Sequence, residues 1–381
     1  MSTDHDVQRT RCTQDVAQDN KPQKASRERL ISIDALRGFD MFWIIGGGTI
    51  FAGTAKVWEN PVTLTIREQL AHVEWEGFHF EDLIYPLFLF IIGVVLPFSL
   101  ASRKEQGQGR RKLYLHFLKR SLMLILLGSI PRGILSFTRW PFMGGVLEHI
   151  GLCYFFASLL VMHTKWRTRA VIVPAFLVLY WLALTLIPVP GHGAGVFTNE
   201  GSLASYVDRL FISGNLWNEG PTSTLSGISI ILWGSLAGHW LRSGRSGNQK
   251  AAGLALAGVV SIIMGYLWGF SLPVIKRVLW TSSYVTFACG WSLLLLATFY
   301  WVIDVKKYRK WAFFFIVIGM NAITIYFLQQ IVNFDEIANL LFKGICENAG
   351  ILMPLALPFG VVTLKWLFLW FLYRHKIFFK S

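Results

Sequence analysis

The chain has 381 residues, 54% of them hydrophobic and only 15% charged, with a formal net charge of +14. A soluble globular chain has about 45–50% apolar and about 25% charged residues, so an ordinary soluble domain is a poor fit. The basic residues sit in short clusters between apolar runs, which points to membrane topology and away from nucleic-acid binding. Cys12, Cys153, Cys289 and Cys346 have no metal-ligand spacing and read as packing residues or free thiols.

Residues 1–28 are polar and charged, with no apolar core segment. They predict a disordered tail and no cleavable signal peptide, leaving the first apolar run to act as an anchor. After the tail, apolar runs of about 20 residues recur, the length needed to cross a hydrocarbon core of about 30 Å. Spans are expected at roughly 31–54, 82–101, 114–136, 143–162, 170–189, 222–241, 251–270, 282–303, 312–333 and 351–372. Backbone in lipid must satisfy its own hydrogen bonds, so the spans are helices. The ten-residue alternation of an outer-membrane barrel is not found. The fold expected is an all-α polytopic membrane bundle of about ten transmembrane helices.

Orientation follows from Lys and Arg. Clusters occur in the tail, at Arg103–Lys112, Lys165–Arg169, Arg242–Lys250 and Lys306–Lys310, and at Arg374–Lys380. These alternate connections carry about 24 cations; the others, with Lys56, Arg67, Arg132, Arg139, Arg209, Lys276, Arg277 and Lys343, carry about 8. The positive-inside rule then puts both termini in the cytoplasm. The expected location is a bacterial inner membrane. On the opposite side lie two long connections, about 55–81 and 190–221, and connections of that length are usually functional.

An ionisable group inside a span costs at least about 2.5–3.5 kcal/mol on insertion scales, so each one calls for a reason. Asp34 and Arg37 are three residues apart on the first span and share a helix face. They form either a mutually neutralising pair or a fixed cation offered to a phosphate. Gly46-Gly47-Gly48 fits close helix packing or a backbone approach to ligand. The densest polar cluster is His72-Val73-Glu74-Trp75-Glu76-Gly77-Phe78-His79-Phe80-Glu81-Asp82, which leads into the second span. His72 can act as a base or as an acyl acceptor, with Asp82 holding its tautomer. The alternatives are a solvated acidic loop or a metal site, although the spacing matches no metal motif. Glu148, His149 and Asn321 fall inside spans and should face the bundle interior, as cavity-lining groups or as interhelical hydrogen-bonding groups.

Together these stretches resemble the heparan-α-glucosaminide N-acetyltransferase family and its bacterial relatives among the transmembrane acyltransferases. The resemblance runs from about residue 29 to the end. Its strongest parts are Arg29-Leu30-Ile31-Ser32-Ile33-Asp34-Ala35-Leu36-Arg37-Gly38, His72-x-x-Trp75-x-Gly77, and Asp82 through Gly93. Weaker parts are Gly145-Val146-Leu147, Ile187 to Gly191, Tyr206 to Leu210, Leu279 to Val285, and Gly319-Met320-Asn321. The family often has Asn where Ile44 stands, and Gln-Arg where Glu148-His149 stand. The first difference removes an amide; the second exchanges a fixed cation for a titratable group.

The resemblance implies a transmembrane acyltransferase domain over residues 29–381. It would move an acetyl group from cytosolic acetyl-CoA to an amino sugar or glycan on the other side of the bilayer, with no metal. It also implies that His72 is catalytic, and Asp82 would orient it. Arg37 is a candidate for the CoA phosphates, Asn321 or a backbone amide for the oxyanion, and Trp75, Trp280 and Tyr284 for stacking on a sugar. Direct attack and an acetyl-enzyme relay are both open, as is a homodimer. The rival readings are an O-acyltransferase of surface polysaccharide and a sugar or small-molecule transporter using the same polar core.

Overall fold

A computed structural model describes residues 30–131, 133, 144–211 and 219–378. The tail expected at 1–28, and Arg29, Arg132, Arg139 and Lys380 of the charge count, lie outside them.

The first expected span is a broken helix. α1 (Ile31–Phe42) passes through a π-helical segment, Trp43–Gly47, into α2 (Gly48–Val57), and Gly46 inside that segment has φ of 127°. Only glycine reaches that backbone region without strain, so the interruption is written in the sequence. α3 (Pro61–Gln69) is a short helix with Asn60 as its cap and Pro61 in its first turn. α4 (Phe80–Glu105), α5 (Arg110–Ser129), α6 (Val146–His163) and α7 (Trp166–Leu186) follow. After the short α8 (Leu203–Phe211) come α9 (Ser223–Leu241), α10 (Gly247–Gly269) and α11 (Ser282–Phe299), the last extended by a π-helical segment, Tyr300–Val305. The ninth expected span is also broken, at Asn321, into α12 (Phe313–Met320) and α13 (Ala322–Leu328). α14 (Phe334–Asn348) and α15 (Met353–Arg374) complete the chain.

Among the described residues, six helices are long and apolar enough to cross a membrane: α4, α6, α7, α10, α11 with its extension, and α15 with the turn before it. The other four expected spans correspond to the two broken helices, to α5 and to α9. In α5 the apolar run is diluted by Arg110, Arg111, Lys112, Lys119 and Arg120, and in α9 by six serines and glycines within Ser223–Ser235 and by His239. No strand occurs among the described residues, only isolated bridges at Glu76–Ile275 and Val189–Gly193. The molecule is an all-α membrane bundle.

α4 is its hub: 83% of its apolar window is buried, against 28% for α7, α10 and α15. Those outer helices are apolar on their exposed sides too, with Leu179 and Leu186 on α7 and Leu256, Ile263 and Met264 on α10 facing outward. A helix that is apolar all round is buried in protein or faces lipid. α4 meets α9 almost backbone to backbone. A Cβ at Gly93 would run into the carbonyl oxygen of Ile231, and one at Gly234 into that of Phe90. α1 and α12 meet the same way at Gly38 and Gly319. Small residues let membrane helices gain dispersion contacts that lipid cannot match.

Candidate functional site

The loop between α3 and α4 carries His72, and the start of α4 holds it. His79 is the residue before the helix, and Asp82, in the first turn, reaches back to it: Asp82 Oδ2 accepts from the backbone N–H of His79 at 3.2 Å and of Val73 at 3.3 Å. A carboxylate is favoured there because the first N–H groups of a helix lack partners and carry partial positive charge. The other oxygen, Oδ1, accepts from His72 Nδ1 at 2.9 Å. Asp82 is buried while the His72 side chain is half exposed. The anchor is thus rigid and the imidazole accessible. With Nδ1–H bound to the carboxylate, Nε2 keeps its lone pair for chemistry.

A second loop clasps the first. Gly77 N–H donates to the Val274 carbonyl at 2.9 Å, and Arg277 Nε donates to that of Val73 at 3.3 Å. Lys276 Nζ lies 3.5 Å from Asp82 Oδ1 and 3.4 Å from His72 Nδ1. Val278 and Trp280 in this loop have φ of 27° and 44°. Left-handed backbone at a β-branched residue and an indole is costly, and such strain is typical of functional loops. At the base, the Tyr284 hydroxyl donates to the Asp82 carbonyl at 2.8 Å.

His72, Lys276, Glu81 and Glu219 line one cavity of about 180 Å³. Its remaining wall is largely apolar, from Met41, Ile44, Ile84, Phe88, Ile150 and Ile323, with Tyr85 and Tyr326. Several expected residues are brought to this centre and others are not. Ile44 lines the cavity. His149 stands behind it, with Nδ1 2.5 Å from the Tyr85 hydroxyl. Glu148 is buried and accepts from Ser129 Oγ at 3.4 Å, and is not in the lining. Trp75 donates through Nε1 to the Phe197 carbonyl at 2.8 Å and packs on a cluster including Tyr180 and Leu279.

Trp280 and Tyr284, expected as sugar-stacking surfaces, are both fully buried, with Trp280 edge-on to Tyr85, His149 and Tyr284 at centroid distances of 5.1–5.8 Å. Asn321 is drawn away by the chain end, donating its amide to the Ile377 carbonyl at 3.1 Å. Asp34 pairs with Arg37 at 3.8 Å, and neither lines the cavity. Among the described residues no group of three or more His, Cys, Asp or Glu is arranged to hold a metal ion.

Lys276, Glu81, Glu219 and Tyr85 were not singled out from sequence. Glu81 adjoins Asp82 in the polar cluster, and Lys276 is a rare cation on the poorly charged side; those were the available signals. Three residues after Glu219, Thr222 is held by Asp208 of α8. Asp208 is buried and accepts from the backbone N–H of Thr222 at 2.9 Å and also from the Thr222 hydroxyl. Burial pushes its carboxyl above the usual carboxylate range, with the two Thr222 hydrogen bonds pulling the other way.

Comparison with known proteins agrees with the motifs. No family model matches the chain. It is 26% identical to the heparan-alpha-glucosaminide N-acetyltransferase of Homo sapiens over 92% of its length, and 26% identical to that of Mus musculus over 80%. It spans only 60% and 54% of those relatives' own lengths. Over most of its residues the chain is similar to the heparan-alpha-glucosaminide N-acetyltransferases, the resemblance that the stretches at 29–38 and 72–93 carry.

Proposed function

We propose that the chain is a membrane-bound acetyltransferase. It takes acetyl from acetyl-CoA and passes it to the amine of an amino sugar at the His72 cavity. The observation that carries this reading is the 2.9 Å hydrogen bond from His72 Nδ1 to buried Asp82, with the imidazole at the edge of a largely apolar cavity. The names of the two relatives support an N-acetyl product and a glucosaminide acceptor.

The amine nitrogen attacks the thioester carbonyl carbon while His72 Nε2 takes a proton from that nitrogen. The C–S bond breaks, and the CoA thiolate receives the proton as thiol. Asp82 keeps Nε2 as the accepting atom and stabilises the imidazolium while the proton rests there. The apolar wall excludes the water that would hydrolyse the thioester. The charge count favours CoA arriving from the cytoplasmic face and the acceptor from the other.

Purified protein in lipid nanodiscs, given acetyl-CoA and glucosamine, should release CoA thiol and form N-acetylglucosamine. His72→Ala should abolish both. Equal rates in the variant would remove His72 from the chemistry, and uptake of sugar into vesicles without acetylation would replace transfer by transport.

A further inference from the structure

Attack on a thioester carbonyl turns its oxygen into an oxyanion, and preformed hydrogen-bond donors aimed at that oxygen are often the largest single contribution to such catalysis. The Asn321 amide is committed to the Ile377 carbonyl, and Lys276 at the cavity mouth shares Asp82 Oδ1 with His72. Tyr85 offers a neutral donor in the lining.

Tyr85 lies one turn beyond Glu81 on the same face of α4, and both line the cavity. Its hydroxyl has two acceptors within reach: His149 Nδ1 at 2.5 Å and the carbonyl of Val146, another lining residue, at 3.3 Å. Behind it the chain continues from His149 Nε2 to Ser223 Oγ at 3.2 Å and from Ser223 Oγ to the Gly220 carbonyl at 2.7 Å. Two proton arrangements satisfy this chain, with the same number of protons. In one, Ser223 donates to Gly220, His149 Nε2–H donates to Ser223, and Tyr85 donates to Nδ1. In the other, Ser223 donates to Nε2, Nδ1–H donates to the Tyr85 oxygen, and the phenol proton is directed away from His149. The second arrangement makes Tyr85 a donor whose own oxygen is already held.

All three groups are withdrawn from solvent, at 8% exposure for Tyr85, 3% for His149 and 0% for Ser223. The buried Trp280 ring lies edge-on to both Tyr85 and His149 and fixes their planes. A donor held this way needs little reorganisation and acts at low dielectric, the conditions under which one hydrogen bond counts most.

We propose that the Tyr85 hydroxyl is the catalytic donor to the acyl oxygen as the thioester is attacked, and that His149 is its positioning residue. The proposal rests on the acetyl-transfer reading given above. No bond forms at Tyr85: the oxyanion accepts a hydrogen bond, then collapses as the C–S bond breaks.

The test uses the full chain in nanodiscs with acetyl-CoA labelled with ¹³C at the thioester carbonyl. Tyr85→Phe should lower kcat by about 100-fold with KM for acetyl-CoA within about twofold. The carbonyl infrared band of bound acetyl-CoA should lie lower in the unaltered protein and move up in Tyr85→Phe and His149→Leu. His149→Gln, which can still donate to the phenol oxygen, should recover most of the band shift and much of the rate; it keeps the test open if His149→Leu does not fold. A Tyr85→Phe rate within threefold of the unaltered protein, or an unmoved band, overturns the proposal. A band shift lost in Tyr85→Phe without any amine acetylation supports the donor and sinks the acceptor assignment instead. Absence of acetyl-CoA binding to the unaltered protein overturns both.

Discussion

Lys365, inside the apolar helix α15, donates its ammonium to the backbone carbonyl of Ile45 at 2.9 Å. Ile45 immediately precedes Gly46, where the first helix is interrupted. The same ammonium reaches Gln329 Oε1 at 3.1 Å. A buried cation in a membrane helix is expensive, and here it satisfies acceptors at two irregular segments at once. Lys365→Met should leave the Ile45 carbonyl buried and unpaired, at a cost of about 1–3 kcal/mol. Thermal unfolding in detergent checks this; an unchanged midpoint would show that the broken helix needs no such prop.

The α4–α9 contact gives a second expectation. Gly93→Ala or Gly234→Ala forces two backbones apart, because the obstructing atom is a main-chain oxygen that cannot rotate away. Overpacking typically costs about 1–3 kcal/mol, and these sites should fall at the upper end. Gly244→Ala, with nothing within 4 Å of the added carbon, should stay within about 0.5 kcal/mol of the unaltered protein. Retained monodispersity and an unshifted unfolding midpoint for Gly93→Ala would contradict the packing described.

Asp82→Asn keeps the size of the anchor and can still cap α4, but it no longer commits Nδ1 to donate. The wrong imidazole tautomer should become populated, lowering kcat by about 100-fold or more with little change in KM for acetyl-CoA. A loss confined to KM would assign Asp82 to substrate binding.

Asp208 gives a dependence on pH. Its carboxyl titrates higher in the folded protein than in the unfolded chain, because burial outweighs the Thr222 hydrogen bonds. The folded state therefore holds the proton more tightly. The resulting stability is present at low pH and is lost as pH rises through the raised folded value. Asp208→Asn keeps an acceptor for Thr222 and removes the buried charge. As pH rises from about 4 to neutral, the midpoint of the unaltered protein should fall relative to that of the variant. Parallel curves would mean that the carboxylate is stabilised in ways the Thr222 contacts do not account for.

The helical architecture was readable because each spanning segment must satisfy its own backbone and cover itself with apolar side chains, and both demands leave long signals. The His72–Asp82 pair was readable because a helix start dictates where a carboxylate belongs, and the loop before it was unusually polar. Lys276 and Tyr85 were not, since their roles depend on contacts with residues far away in sequence. The burial of Trp280 and Tyr284 was not readable for a related reason: an aromatic near a membrane interface looks the same in sequence whether its face is open or packed. Asn321 was expected to face the site, but its backbone bends out of helix geometry and a carbonyl near the chain end takes its amide.

The clasp between the His72 loop and the segment at Val274–Tyr284 also bears on biosynthesis. His72 emerges from the ribosome about two hundred residues before Lys276 and Tyr284, which complete its surroundings. A nascent chain halted before Val274 is made has the imidazole and its carboxylate but none of the hydrogen bonds that this segment supplies. The surroundings of His72 are therefore completed late in synthesis, and the last of these contacts, from Tyr284, waits for α11.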